Sequence, residues 1–210
     1  MEWNDFLKQF AQRPLFHSSM LDIFSDPLSH RQVQLSRWTK AGKLLQFRRG
    51  WYLIEKPWRL KDVPPPVIAN NVLQPSYLSL DWALQYYEMI PEYVPNPTSI
   101  TTARGVRFAV QNTLYLYYHV QPSFFKGYKQ EEVGGFKIKI AYPEKALLDK
   151  IYLFMQGNPF SIQWLEELRL QELDDFDLRL FRSFARGVNK KKFKDAVEIT
   201  CGYIDSRKGE

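Results

Sequence analysis

Ser29-His30-Arg31-Gln32-Val33-Gln34-Leu35-Ser36-Arg37-Trp38-Thr39-Lys40-Ala41-Gly42 is followed by Lys43-Leu44-Leu45-Gln46-Phe47, Arg48-Arg49-Gly50 and Trp51-Tyr52-Leu53-Ile54. Serine caps helix starts and glycine supplies the left-handed residue that stops them, so Ser29 and Gly42 bracket a predicted helix over 30–41. Two aliphatic and aromatic segments joined by a three-residue turn ending in glycine then predict a β-hairpin. With Leu35 centred on the buried face and about 100° per residue, Gln32, Trp38 and Thr39 share its side. His30, Val33, Gln34, Ser36, Arg37 and Lys40 lie around the opposite half. Long donors around a small apolar residue suit the DNA major groove, where arginine bonds a guanine edge and glutamine an adenine edge. Arg31 falls nearer the buried face and is expected to reach phosphate. Arg48 and Arg49 stand on a tight turn, from which a wing touches backbone or minor groove. The expected DNA contacts are His30, Arg31, Gln34, Arg37, Lys40, Lys43, Arg48 and Arg49.

Upstream, Trp3, Phe6, Leu7 and Phe10 have helical spacing over 3–12, ended by Arg13-Pro14. A second helix over 20–24 is expected behind a Ser18 or Ser19 cap and before Asp26-Pro27. Three short helices and a hairpin make a winged helix-turn-helix. Downstream, Lys56 to Pro66 contains Pro57, Pro64, Pro65 and Pro66 and reads as a stiff linker. The predicted domains are 1–62 and 63–210.

Charge divides the chain the same way. Between Leu28 and Lys61 nine basic residues face one acid, Glu55, a local charge of +8 within a total of +6, so the remainder sums to −2. A folded basic block beside near-neutral sequence points to a polyanion as partner of the first module. Hydrophobic residues at 45% and charged residues at 25% describe a globular chain. The most apolar segment, Thr113 to Val120, is far shorter than the ~20 residues that span a bilayer, so no membrane is expected. The opening Met1-Glu2-Trp3-Asn4-Asp5 lacks the order of a secretory signal, and Cys201 has no second cysteine to pair with. A cytoplasmic location is the expectation.

The second domain reads as mixed α/β with a small sheet and a helical tail. Helices are expected over 67–73 and 79–89, and strands over 98–102, 107–110, 113–120 and 135–141. Pro143 starts a helix to Met155, and three further helices follow over 162–170, 175–185 and 191–203. The whole is α+β.

Candidate chemistry in this half is thin. Pro143-Glu144-Lys145 sets a carboxylate beside a lysine, as in metal-dependent nucleases, but on a helix start, where Glu144 favours the positive end. Glu144 and Lys145 are expected on an exposed first turn, with Lys145 and Asp149 able to pair four residues apart. Asp175-x-Asp177 resembles half of a nucleotidyltransferase metal site, yet no Gly-Ser pair precedes it and its acids suit a helix start. His17, His30 and His119 are scattered without metal-ligand spacing, and there is no Gly-rich phosphate loop. Neither a cofactor nor a metal is expected. Arg182, Arg186, Lys190-Lys191-Lys192 and Lys194 form a second basic cluster, read as a solvated helix end or a nucleic-acid contact. Tyr86, Tyr87, Tyr115, Tyr117 and Tyr118 mix core positions with surface ones.

Residues 35–53, from Leu35-Ser36-Arg37-Trp38 to Gly50-Trp51-Tyr52-Leu53, resemble the winged-helix signature of AbiEi-type antitoxins, found in type IV toxin–antitoxin and abortive-infection systems. Tyr77-Leu78-Ser79-Leu80-Asp81-Trp82-Ala83-Leu84, Ile100-Thr101-Thr102 and Ala141-Tyr142-Pro143-Glu144-Lys145-Ala146-Leu147-Leu148-Asp149 are similar to the same family's later motifs, in its order. The resemblance covers roughly residues 15–160. It implies a non-enzymatic DNA-binding repressor of its own operon, reading inverted repeats in double-stranded operator DNA. It also implies an antagonist that counters a nucleotidyltransferase-like toxin without forming a stable complex with it. The alternatives are a winged-helix-targeted nuclease or nucleotide-modifying enzyme, and a plain transcription factor with a sensing domain.

Overall fold

Aromatic spacing shapes the first of two units, Met1–Pro64; the second runs from Pro65 onward. The computed structural model describes residues 1–208. Helix α1 (Trp3–Phe10) carries Phe6 and Phe10 four residues apart, so both rings face inward. Strand β1 (Leu15–His17) adds Phe16, a 3-10 turn (Ser18–Ile23) adds Leu21, and helix α2 (Leu28–Lys40) adds Leu35 and Trp38. Strands β2 (Leu44–Arg48) and β3 (Trp51–Ile54) complete the core with Leu44, Tyr52 and Ile54. Phe6 lies at its centre, with ring centroids 5.3 Å from Trp3, 5.0 Å from Phe10, 5.2 Å from Phe16 and 5.0 Å from Trp38. Aromatic pairs of this geometry add about 0.5–1.5 kcal/mol each beyond burial. The antiparallel sheet has the order β1-β3-β2, with Tyr52 opposite Phe16 on one side and Gln46 on the other.

Element ends differ from the sequence expectation. Ser29 lies inside α2, which starts behind Pro27 with no side-chain cap; the fixed φ of Pro27 supplies the entry instead. Neither Ser18 nor Ser19 caps the second helix. The segment is a 3-10 turn, whose greater rise per residue spans a short connection, and His17 Nδ1 accepts from the Ser19 N–H at 3.3 Å. Lys56 to Asp62 folds back rather than running on as a linker: Leu60 N–H donates to Ala11 O at 3.0 Å and Arg59 Nη1 to Ile54 O at 3.3 Å.

In the second unit, Pro65 and Pro66 open helix α3 (Pro65–Val72), since a first turn has no use for their missing N–H groups. The remaining elements are β4 (Ser76–Leu78), α4 (Leu80–Tyr86), β5 (Thr98–Thr101), β6 (Val106–Val110), β7 (Thr113–His119), a 3-10 turn (Pro122–Phe124), β8 (Tyr128–Val133), β9 (Phe136–Ala141), α5 (Pro143–Phe154), α6 (Ile162–Glu167), α7 (Leu178–Ala185) and α8 (Lys191–Arg207). The sheet expected to be small has six strands, in the order β6-β7-β5-β4-β9-β8. Pairs β4–β9 and β5–β7 are parallel and the others antiparallel. Strands β4 and β5 at its centre are buried throughout. Asn70 of α3 substitutes for a neighbouring strand, donating to Lys139 O and accepting from Lys139 N–H, both at 2.9 Å. On β7, Tyr115 and Tyr117 point inward and Tyr118 outward. Burial pushes the Cys201 thiol, inside α8, up to about 11. Among the described residues no helix is long and apolar enough to cross a membrane.

Candidate nucleic-acid interface

Helix α2 ends where the sequence places its stop. Gly42 takes φ +68°, Lys43 N–H donates to Trp38 O at 2.9 Å, and Gly42 N–H donates to Thr39 O at 3.1 Å. This closure satisfies the last carbonyls and orients the helix with Leu35 and Trp38 inward. His30, Val33, Arg37 and Lys40 recur at i, i+3, i+7 and i+10 on the open side and are exposed, while Gln34 on the same stripe is half-buried. Gln32, expected on the buried side, is exposed. Arg37 and Lys40 also lie in the last turn, where the helix dipole favours cations.

The hairpin turns at Arg49-Gly50, with a bulge between Gln46 and Arg48. Gly50 has φ +80°, and a Cβ there would come within 2.3 Å of His17 Nε2. Ser18 N–H donates to Gly50 O at 2.7 Å, and the His17 ring meets Trp51 edge-on at 5.3 Å. The hairpin tip is therefore fastened to the end of β1. Three-residue β1 carries too little alternation to be seen in the sequence.

The expected contact residues separate by their partners. Arg31 is turned onto Asp22, at 2.5 Å, and its side chain is largely covered. Lys43 lies over the rings of Trp3, at 4.8 Å, and Trp58, at 5.9 Å. Arg48 is half-buried, with Nη1 enclosed and without an acceptor, and Arg49 is exposed.

Acids are spent elsewhere in this unit. Of its six, Asp5 pairs with Lys8, Asp22 with Arg31, Asp26 with the N-terminal amine, Glu55 with Arg59, and Asp62 with Lys56 and Arg59. The Lys56 and Arg59 hydrogen bonds hold the Asp62 carboxyl below its usual range, as the terminal amine does for Asp26. Among the described residues, Arg37, Lys40, Arg48 and Arg49 have no carboxylate partner.

In the second unit, Glu144 and Lys145 are buried, not exposed, because α5 is enclosed on every side from Glu144 to Asp149. Lys145 Nζ bonds Asp149 Oδ1 and lies over the Phe124 ring at 3.7 Å. Asp149 Oδ2 accepts from Ser79 Oγ at 2.7 Å and Tyr77 OH at 3.1 Å. Burial pushes the Asp149 carboxyl up and the Lys145 amine down, each opposed by the other's charge. With no surface exposed, the pair joins α5 to the end of β4. Glu144 Oε1 accepts from Asp177 N–H at 3.0 Å, and Asp177 caps α7 through the N–H groups of Arg179 and Leu180. Among the described residues no three metal-ligating side chains gather. No family model matches the chain, and none of the curated proteins matches it in sequence.

Proposed function

We propose that Met1–Pro64 is a winged helix-turn-helix that binds duplex DNA, with α2 as the recognition helix and β2–β3 as the wing. The 3-10 turn over Ser18–Ile23 takes the place of the preceding helix. The observation that carries this reading is the set of uncompensated cations: Arg37 and Lys40 on one stripe of α2, and Arg48 and Arg49 at the hairpin tip. Five of the unit's six acids are bound by other cations and, among the described residues, none pairs with this set; a phosphate backbone neutralises it with release of counterions. Arg31 and Lys43, already occupied, support the fold rather than the contact.

The motifs quoted for residues 35–53 and 141–149 extend the proposal to an AbiEi-type antitoxin. The first unit represses its own operon through inverted repeats, and the second counteracts a nucleotidyltransferase-like toxin without a stable complex. Gel shift with the upstream DNA of its own gene, at two salt concentrations, tests the binding. Affinity falls steeply with salt, and operator is preferred over random duplex. Arg37→Ala relaxes preference at one base, at about 1–3 kcal/mol, whereas Arg49→Ala weakens all duplexes alike. Equal affinity for operator and random duplex rejects sequence-specific repression.

A further inference from the structure

A cavity of about 570 Å3 opens between the end of α5 and the first turns of α8, a volume within the range of about 300–1,000 Å3 that holds small organic ligands. Its wall includes three aromatic rings, Tyr152, Phe160 and Phe193, each packed against another ring. Tyr152 packs 4.5 Å from Phe124 and 5.7 Å from Phe193, and Phe160 packs 5.8 Å from Trp164, which itself stacks on Phe154 at 4.1 Å. Asn158 also lines the cavity; its Nδ2 donates to Phe154 O at 3.2 Å, which fixes the amide and leaves Oδ1 to accept.

At the rim stand Lys190 and Lys192, both exposed and without a carboxylate partner among the described residues. Two nearby cations are occupied: Lys194 bonds Asn189 Oδ1 at 2.8 Å, and Arg182 is forked onto Glu198. Lysines crowded into the first turn of α8 also oppose the helix dipole, a cost that a bound anion relieves. Asp195 is the one carboxylate on the wall.

We propose that this cavity binds a nucleotide, either free or as the end of a single strand. The heteroaromatic ring covers the aromatic wall and meets the amides of Asn158 and Gln156 with its polar edge. The phosphate lies on Lys190 and Lys192, and Asp195 accepts from sugar hydroxyls. An aliphatic acid leaves both amides unanswered, and a bare anion leaves the rings uncovered. The assignment is independent of duplex binding by the first unit.

Titration calorimetry on the full chain tests it with the four nucleoside 5′-monophosphates, the parent nucleosides, inorganic phosphate and a short 5′-phosphorylated single strand. At least one monophosphate binds saturably, one per chain, and more tightly than its nucleoside. Lys190→Gln/Lys192→Gln, on exposed positions whose melting temperature serves as control, weakens it by about tenfold or more, the loss expected for a hydrogen bond to a charged group. Arg37→Ala leaves it unchanged. Tighter binding of the single strand identifies a strand end as the source, and equal affinity identifies the free nucleotide. Absence of saturable binding, a nucleoside that binds as well as its monophosphate, or unchanged affinity in the double variant overturns the proposal.

Discussion

A lysine with no exposed surface is tolerated only beside a partner, and Lys145 has two, the Asp149 carboxylate and the Phe124 ring. Lys145→Met removes the cation but leaves Asp149 buried with only the hydroxyls of Ser79 and Tyr77. Breaking a buried pair from one side costs about 3–5 kcal/mol. Urea denaturation should show that loss, and Lys145→Met/Asp149→Asn should lose less than the sum of the single variants because no charge is stranded. Additive losses would mean that the pair is not coupled. The spacing of the two residues was readable as an ion pair, but its enclosure was not: Ser79 and Tyr77 lie about seventy positions upstream and arrive only through the sheet. The cations expected to contact DNA divide similarly. Counting cations lists Arg37, Lys40 and Arg49 alongside Arg31 and Lys43, whereas Asp22 taking Arg31, and Trp3 and Trp58 taking Lys43, depend on tertiary packing.

At the level of elements, two glycines with left-handed backbone separate conformational strain from collision. Gly42, at φ +68°, has open space where a Cβ would stand, so Gly42→Ala costs about 1 kcal/mol through backbone alone. Gly50, at φ +80°, adds the clash with His17, which Ser19 Oγ and the Trp51 ring hold in place. Gly50→Ala should therefore lower the melting temperature further than Gly42→Ala and also weaken duplex binding, and His17→Ala in the same chain should restore part of the loss. Equal effects of the two glycine substitutions would show that His17 does not fasten the tip. Punctuation of this kind made α2, the hairpin and α5 legible, through Gly42, Gly50 and Pro143. Short or polar strands escaped. Strand β4 has three residues, and the edge strand β8, Tyr128-Lys129-Gln130-Glu131-Glu132-Val133, is mostly polar because only part of it is covered.

Over the whole molecule, charge is unevenly shared: the first unit carries 11 basic and 6 acidic residues, and the remainder of the chain 18 and 17. If duplex binding resides in the first unit and antitoxicity in the second, a chain lacking residues 1–64 should protect cells from a nucleotidyltransferase-like toxin yet fail to shift operator DNA. Loss of protection by a fragment that still melts cooperatively would place antitoxicity in the first unit or in both. The tryptophans share the imbalance, with Trp3, Trp38, Trp51 and Trp58 in the first unit and Trp82 and Trp164 in the second. The enclosed Cys201 thiol of α8 gives the second unit a complementary signal. A thiol both covered and held protonated reacts with an alkylating reagent only while its surroundings are open, so the labelling rate counts excursions of the second unit, and indole emission follows mainly the first. One chain thus carries its own pair of chronometers, one optical and one chemical, needing no added dye.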